Sequence, residues 1–97
     1  MILLDNLNNR LSLLEEVFLD FNQLKTIPKP IFQLKSILFL GLSNNQLTIL
    51  PDDLEKMSNL KVIFIENNPL EVGTKDIIDR LRKRGLEFHY YRRAKKL

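Results

Sequence analysis

The stretch Ile37-Leu38-Phe39-Leu40-Gly41-Leu42-Ser43-Asn44-Asn45-Gln46-Leu47 carries a frame that the chain uses three times. Ile37, Leu40, Leu42, Asn45 and Leu47 repeat the spacing of Leu14, Val17, Leu19, Asn22 and Leu24. The same spacing returns in Leu60, Ile63, Ile65, Asn68 and Leu70, after the same interval. Downstream, Ile27, Pro28, Ile31 and Leu34 recur as Leu50, Pro51, Leu54 and Met57. A fixed period of about 20–29 residues marks a stacked solenoid, in which each unit needs its neighbours to cover its apolar face. A solenoid presents one extended surface and no deep cleft, which favours binding over catalysis.

Within each unit the apolar residues Val17 and Leu19, Leu40 and Leu42, Ile63 and Ile65 alternate with the period of a half-buried strand. The spacing predicts strands of about five residues, near the short end of the usual range. An asparagine follows each strand. Its side-chain amide offers two donors and an acceptor, so stacked amides at Asn22, Asn45 and Asn68 are expected to form a buried ladder bonding the turning backbone of adjacent units. Asn44 is expected to be exposed beside it. Pro28 and Pro51 fix φ and remove a donor where the outer half of the unit begins.

This pattern over residues 14–70 resembles the leucine-rich repeat family, in its version with about 23 residues per repeat. The resemblance implies an α/β fold, a right-handed solenoid with a short parallel sheet on its concave face and short helical or extended pieces outside. Ninety-seven residues then form one domain. Repeats occupy 14–36, 37–59 and 60–73, between an N-terminal cap over 1–13 and a C-terminal cap over 74–91, with a basic tail over 92–97.

So few repeats need covered ends. Leu3, Leu4, Leu7, Leu11 and Leu14 recur at three- and four-residue steps, a helical stripe with Asp5 or Asn6 as its N-cap. Leu4, Leu11 and Leu14 also lie one full period before Ile27, Leu34 and Ile37, so the same leucines fit the tail of an earlier repeat. At the other end, Thr74 as N-cap, Asp76 in the first turn, the stripe Ile77, Ile78, Leu81, and Lys83 and Arg84 before Gly85 describe a cap helix. Leu86, Phe88 and Tyr90 then alternate as a fourth strand, parallel to the sheet.

Hydrophobic content of 44 % and charge of 28 % suit an ordinary globular chain. Cysteine is absent, whereas extracellular members of the resembled family commonly carry disulfide-bonded caps. The opening residues lack a basic start, and Asp5, Asn6 and Asn8 interrupt any apolar core. A reducing, cytoplasmic setting is therefore expected, with export by a route that needs no cleavable signal left open. No run has the length that spans a membrane.

Catalytic readings find little support. His89 is the only histidine, there is no thiolate, and Gly41, Gly73 and Gly85 are isolated, so no multi-histidine metal site or phosphate-cradling loop can be written. Glu15 and Glu16 are strand neighbours and point to opposite faces. We expect no enzyme, no cofactor and no small-molecule substrate.

The positions alternating with the buried ones face outward from the sheet: Glu16, Phe18 and Asp20; Phe39, Gly41 and Ser43; Val62, Phe64 and Glu66. His89 and Tyr91 extend this face in a register the sequence does not settle. The resemblance implies that a protein or peptide partner binds here. Three outward phenylalanines fit an interaction patch, or rings that pack on one another to shield Gly41. Strand spacing of about 4.8 Å sets Phe18 and Phe64 roughly 9–10 Å apart, a gap for one apolar side chain of a partner. A second class of function is an anion-directed binder of nucleic acid or membrane lipid. Residues 75–97 hold nine Lys or Arg against three acids, while the remainder of the chain is net negative. A monomer is expected, with a homodimer through the edge strand Leu86–Tyr91 as the alternative.

Overall fold

The structure, a computed structural model, describes residues 13–89. The N-terminal cap, apart from Leu13, lies outside the described residues, as do Tyr90, Tyr91 and the basic tail. Four strands, β1 (Glu16–Phe18), β2 (Phe39–Gly41), β3 (Val62–Phe64) and β4 (Glu87–His89), form one parallel sheet in the order β1-β2-β3-β4. Between them run short 3-10 turns at Lys29–Gln33, Asp52–Lys56 and Val72–Thr74, and one α-helix, α1 (Lys75–Lys83).

The strands are three residues each rather than the five expected. Backbone pairing nonetheless continues past them into the turns. Leu19 N–H donates to Gly41 O, Phe21 N–H to Ser43 O and Asn44 N–H to Glu66 O, at 2.8–2.9 Å. The coils are thus joined along the strand and through the bend that follows it.

Periodicity predicts the core correctly. Val17, Leu40, Ile63 and Phe88 share one inward row of the sheet. Leu40, Leu42, Leu47, Leu54 and Ile63 are fully buried, with Ile37, Met57 and Ile65 at 1 % exposure. Burial weakens in the first coil, where Val17, Leu19 and Leu24 are only partly covered. Pro28 and Pro51 each open a 3-10 turn, their carbonyls accepting from Ile31 N–H and Leu54 N–H at 3.0 and 3.1 Å. The missing proline N–H falls where the turn leaves it no partner to meet.

The asparagine ladder is real but graded. Asn45, 7 % exposed, accepts from Asn22 N–H and Leu24 N–H and donates to Leu19 O, Leu42 O and Ser43 O. Asn68 accepts from Leu47 N–H and donates to Leu42 O, Ile65 O and Glu66 O. Asn22 is exposed and, among the described residues, its side-chain amide donates only within its own coil, to Leu19 O and Asp20 O. The expectation of three buried amides therefore holds at Asn45, is half met at Asn68 and fails at Asn22. Each amide bonds the preceding coil, and no described coil precedes the first. Asn44 is half-buried rather than exposed, with φ at 59°, and accepts from Asn67 Nδ2 at 2.8 Å.

Helix α1 buries Ile77 and Leu81 and leaves Ile78 half-covered, as its stripe predicts. Its start differs. Thr74 is itself helical and makes no side-chain cap; its hydroxyl donates to Thr48 O at 3.3 Å, tying the helix to the second coil. The exit follows expectation. Gly85 has φ +104°, Gly85 N–H reaches Arg82 O at 2.9 Å, and Leu86 N–H reaches Leu81 O at 3.0 Å. This crossed pair of bonds closes the last turn, with Leu81 and Leu86 buried against it.

Candidate functional site

Parallel pairing in register fixes what the outward face of the sheet presents. One row runs Glu16, Phe39, Val62, Glu87, and the next runs Phe18, Gly41, Phe64, His89. Asp20, Ser43 and Glu66 follow at the foot of the first three strands. The sequence leaves His89 unplaced because the cap helix changes the spacing. Register partners Phe39 and Val62 obey the repeat period, but Val62 pairs with Glu87, two positions later than that period would give.

The second row is aromatic. The Phe18 and Phe64 rings lie 6.0 Å apart at 45°, and Phe64 and His89 stack at 4.9 Å and 26°. The gap expected between Phe18 and Phe64 is therefore closed. Gly41 makes the closure possible: a Cβ there would overlap Phe18 Cδ1 and Asp20 Oδ1. The missing side chain lets Phe18 lean across β2 toward Phe64, where tilted rings at this separation attract. Mutual packing over the glycine is thus what the rings do, yet Phe18 remains 56 % exposed.

Carboxylates border the row. Asp20 Oδ2 accepts from Ser43 N–H at 3.2 Å, and Ser43 Oγ donates to Glu66 Oε1. Asp20 Oδ1 is covered from solvent and has no hydrogen-bond partner among the described residues. His89 Nε2 lies 2.8 Å from Glu87 Oε2. Across both rows and the Asp20, Ser43, Glu66 positions there are four acids and no Lys or Arg, on a chain whose net charge is +3.

Two further residues escaped the sequence reading, one on this surface and one in the turn after β1. Glu87 was hidden by the altered spacing at α1. Phe21, 78 % exposed, holds φ 58°, the left-handed region that Asn44 and Asn67 adopt at the equivalent positions of the next two coils. The period does align Phe21 with those asparagines, and an aromatic in place of two residues that tolerate this region is the signal that could have marked it.

The basic helix is less open than its composition suggests. Lys75 Nζ donates to Asp79 Oδ2 at 2.8 Å; that bond holds the Asp79 carboxyl below the usual carboxylate range and raises Lys75. Arg80 reaches Glu55 Oε2 at 3.0 Å and Asp52 Oδ1 at 2.9 Å. Arg84 donates to Glu55 O and Met57 O at 3.0 Å. Three of the cations thus fasten α1 to its own turn or to the second coil. Among the described residues no three His, Asp or Glu converge as for a metal ion, and no helix is long and apolar enough to cross a membrane.

The family model described as leucine rich repeat matches residues 12–70. The solved structure of a leucine-rich repeat protein from Leptospira interrogans aligns with a TM-score of 0.72 and 35 % identity, over 86 % of this chain and 21 % of that one. This chain therefore spans about a fifth of the length of that relative. No curated protein sequence matches it.

Proposed function

The chain belongs to the leucine-rich repeat family, and from that premise we propose that it is a non-catalytic recognition module whose concave sheet face docks a partner protein. Domains of this family generally serve protein–protein interaction. The observation that carries the reading to this face is its charge and ring content. An aromatic row of Phe18, Phe64 and His89 stands among Glu16, Asp20, Glu66 and Glu87, with no cation on the same rows of a basic chain.

The rings pack on one another, yet Phe18 keeps more than half of its surface in solvent, where an aromatic gains little from burial. Phe21 strengthens the case: a bulky residue in the left-handed region costs about 1 kcal/mol or more, and nearly four-fifths of its surface stays in solvent. On binding, a flat face of this kind draws most of its affinity from a few desolvated aromatics, while the charges set orientation and on-rate.

The test is a paired substitution on a partner obtained by affinity capture from the native extract. Phe64→Ala should weaken that complex by more than about 1 kcal/mol. Lys56→Ala, on the exposed outer turn, should change it little. A complex sensitive to Lys56 and indifferent to Phe64 would overturn the reading.

A further inference from the structure

The shape of the aromatic row narrows the chemistry of the partner. An apolar side chain cannot enter between Phe18 and Phe64, because their centroids are 6.0 Å apart and the rings already touch. What remains is a stacked ring surface bordered by acceptors. Over Gly41, Phe18 and Asp20 Oδ1 crowd the same space above a bare backbone, and that Oδ1 has no donor among the described residues. Glu66 lies beside Ser43, and Glu87 lies beside His89.

We propose that this face takes a basic protein segment anchored by an arginine, its guanidinium laid on the Phe18–Phe64 surface and its N–H edges turned to the carboxylates. The proposal rests on the concave-face reading above. Arginine meets each condition at once. Its plane stacks on a ring, its charge is attracted to the ring face, and its fork of donors matches carboxylates. Lysine satisfies the carboxylates as a compact, strongly hydrated charge and gains less from the rings. An aliphatic side chain satisfies the rings alone.

The experiment is an NMR titration of the full chain with three acetylated 12-residue Gly-Ser peptides that differ only in carrying three Arg, three Lys or three norleucine residues. The expected result is that the arginine peptide shifts the Phe18, Phe64 and His89 ring signals and binds at least fivefold more tightly than the lysine peptide. Phe18→Leu, at an exposed position that leaves the core intact, should bring arginine to the level of lysine, and Phe64→Leu should do the same if thermal unfolding shows it folded. Equal binding of arginine and lysine overturns the arginine anchor while leaving the face reading standing. Tighter binding of norleucine on the same ring signals overturns the charged partner and again leaves the face. No ring shift with any peptide, or shifts confined to α1, overturns both.

Discussion

Asn45 and Phe21 show how one side chain acts at opposite ends of the energy scale. From a nearly closed site Asn45 makes five hydrogen bonds, three of them to the first coil and two within its own. Each buried group stranded by its removal costs about 1–3 kcal/mol, so Asn45→Ala should lower the denaturation midpoint clearly. Asn22→Ala, which loses two bonds to exposed carbonyls, should lower it less. Equal midpoints would mean that the cross-coil bonds are not what the amide contributes. Phe21 runs the other way. Its equivalents Asn44 and Asn67 sit in the left-handed region at little strain, whereas a phenylalanine there is opposed by its own Cβ. Phe21→Asn should therefore stabilise the fold by about 1 kcal/mol, readable as a rise in unfolding midpoint. A fall would show that the exposed ring makes a folded-state contribution that its surroundings do not reveal. If Phe21 also serves recognition, the same variant should bind partner more weakly, the usual trade between stability and a strained functional residue.

Among the elements, α1 decides how the stack ends. It substitutes for the outer half of a repeat, fills the last coil with Ile77 and Leu81, and stops at Gly85 so that Leu86 can turn inward and β4 can pair with β3. The stop depends on φ rather than on space, since a Cβ at Gly85 would meet nothing within 4 Å. Gly85→Ala should cost about 1 kcal/mol or more through backbone strain alone. Gly73→Ala offers the control: it is equally uncrowded and has no positive φ, so its midpoint should scarcely move. A pair of variants with equal losses would place the cost in lost flexibility elsewhere and not in the helix exit. The salt links of Arg80 to Asp52 and Glu55 are exposed, and pairs of that kind contribute only about 0–1 kcal/mol.

The whole molecule is a one-dimensional stack in which every coil is sealed by the next. Leu42 is closed off with the third coil beyond it, and Ile63 and Ile65 with β4 beyond them. Nearest-neighbour coupling in so short an array should give a single unfolding transition. Ending the chain after Gly73 should remove α1 and β4 together, expose the third coil and leave a species that is unfolded or aggregated by circular dichroism and size-exclusion chromatography. A folded monomeric truncation would show that the cap is dispensable. On the same scale, an acidic sheet face on a net-basic chain gives the surface a polarity of charge, which would steer a basic partner of the kind proposed toward the sheet.

Spacing alone determined the repeat, the buried rows and the identity of most outward residues, while the parallel sheet was what the family resemblance implied. These depend on the two-residue alternation of the strands and on the longer repeat period, and a period survives in sequence whatever the neighbours do. Three matters required the folded chain. The register of β4 depends on how many residues α1 consumes, which brought Glu87 onto the face and set His89 against Phe64. The burial of each asparagine depends on whether a coil lies beside it, so identical motifs at Asn22 and Asn45 met different environments. The distance between Phe18 and Phe64 depends on side-chain torsions freed by Gly41, and strand spacing cannot report those. Backbone repetition is a local property written residue by residue; the surface a partner meets is made where side chains from different coils settle against each other.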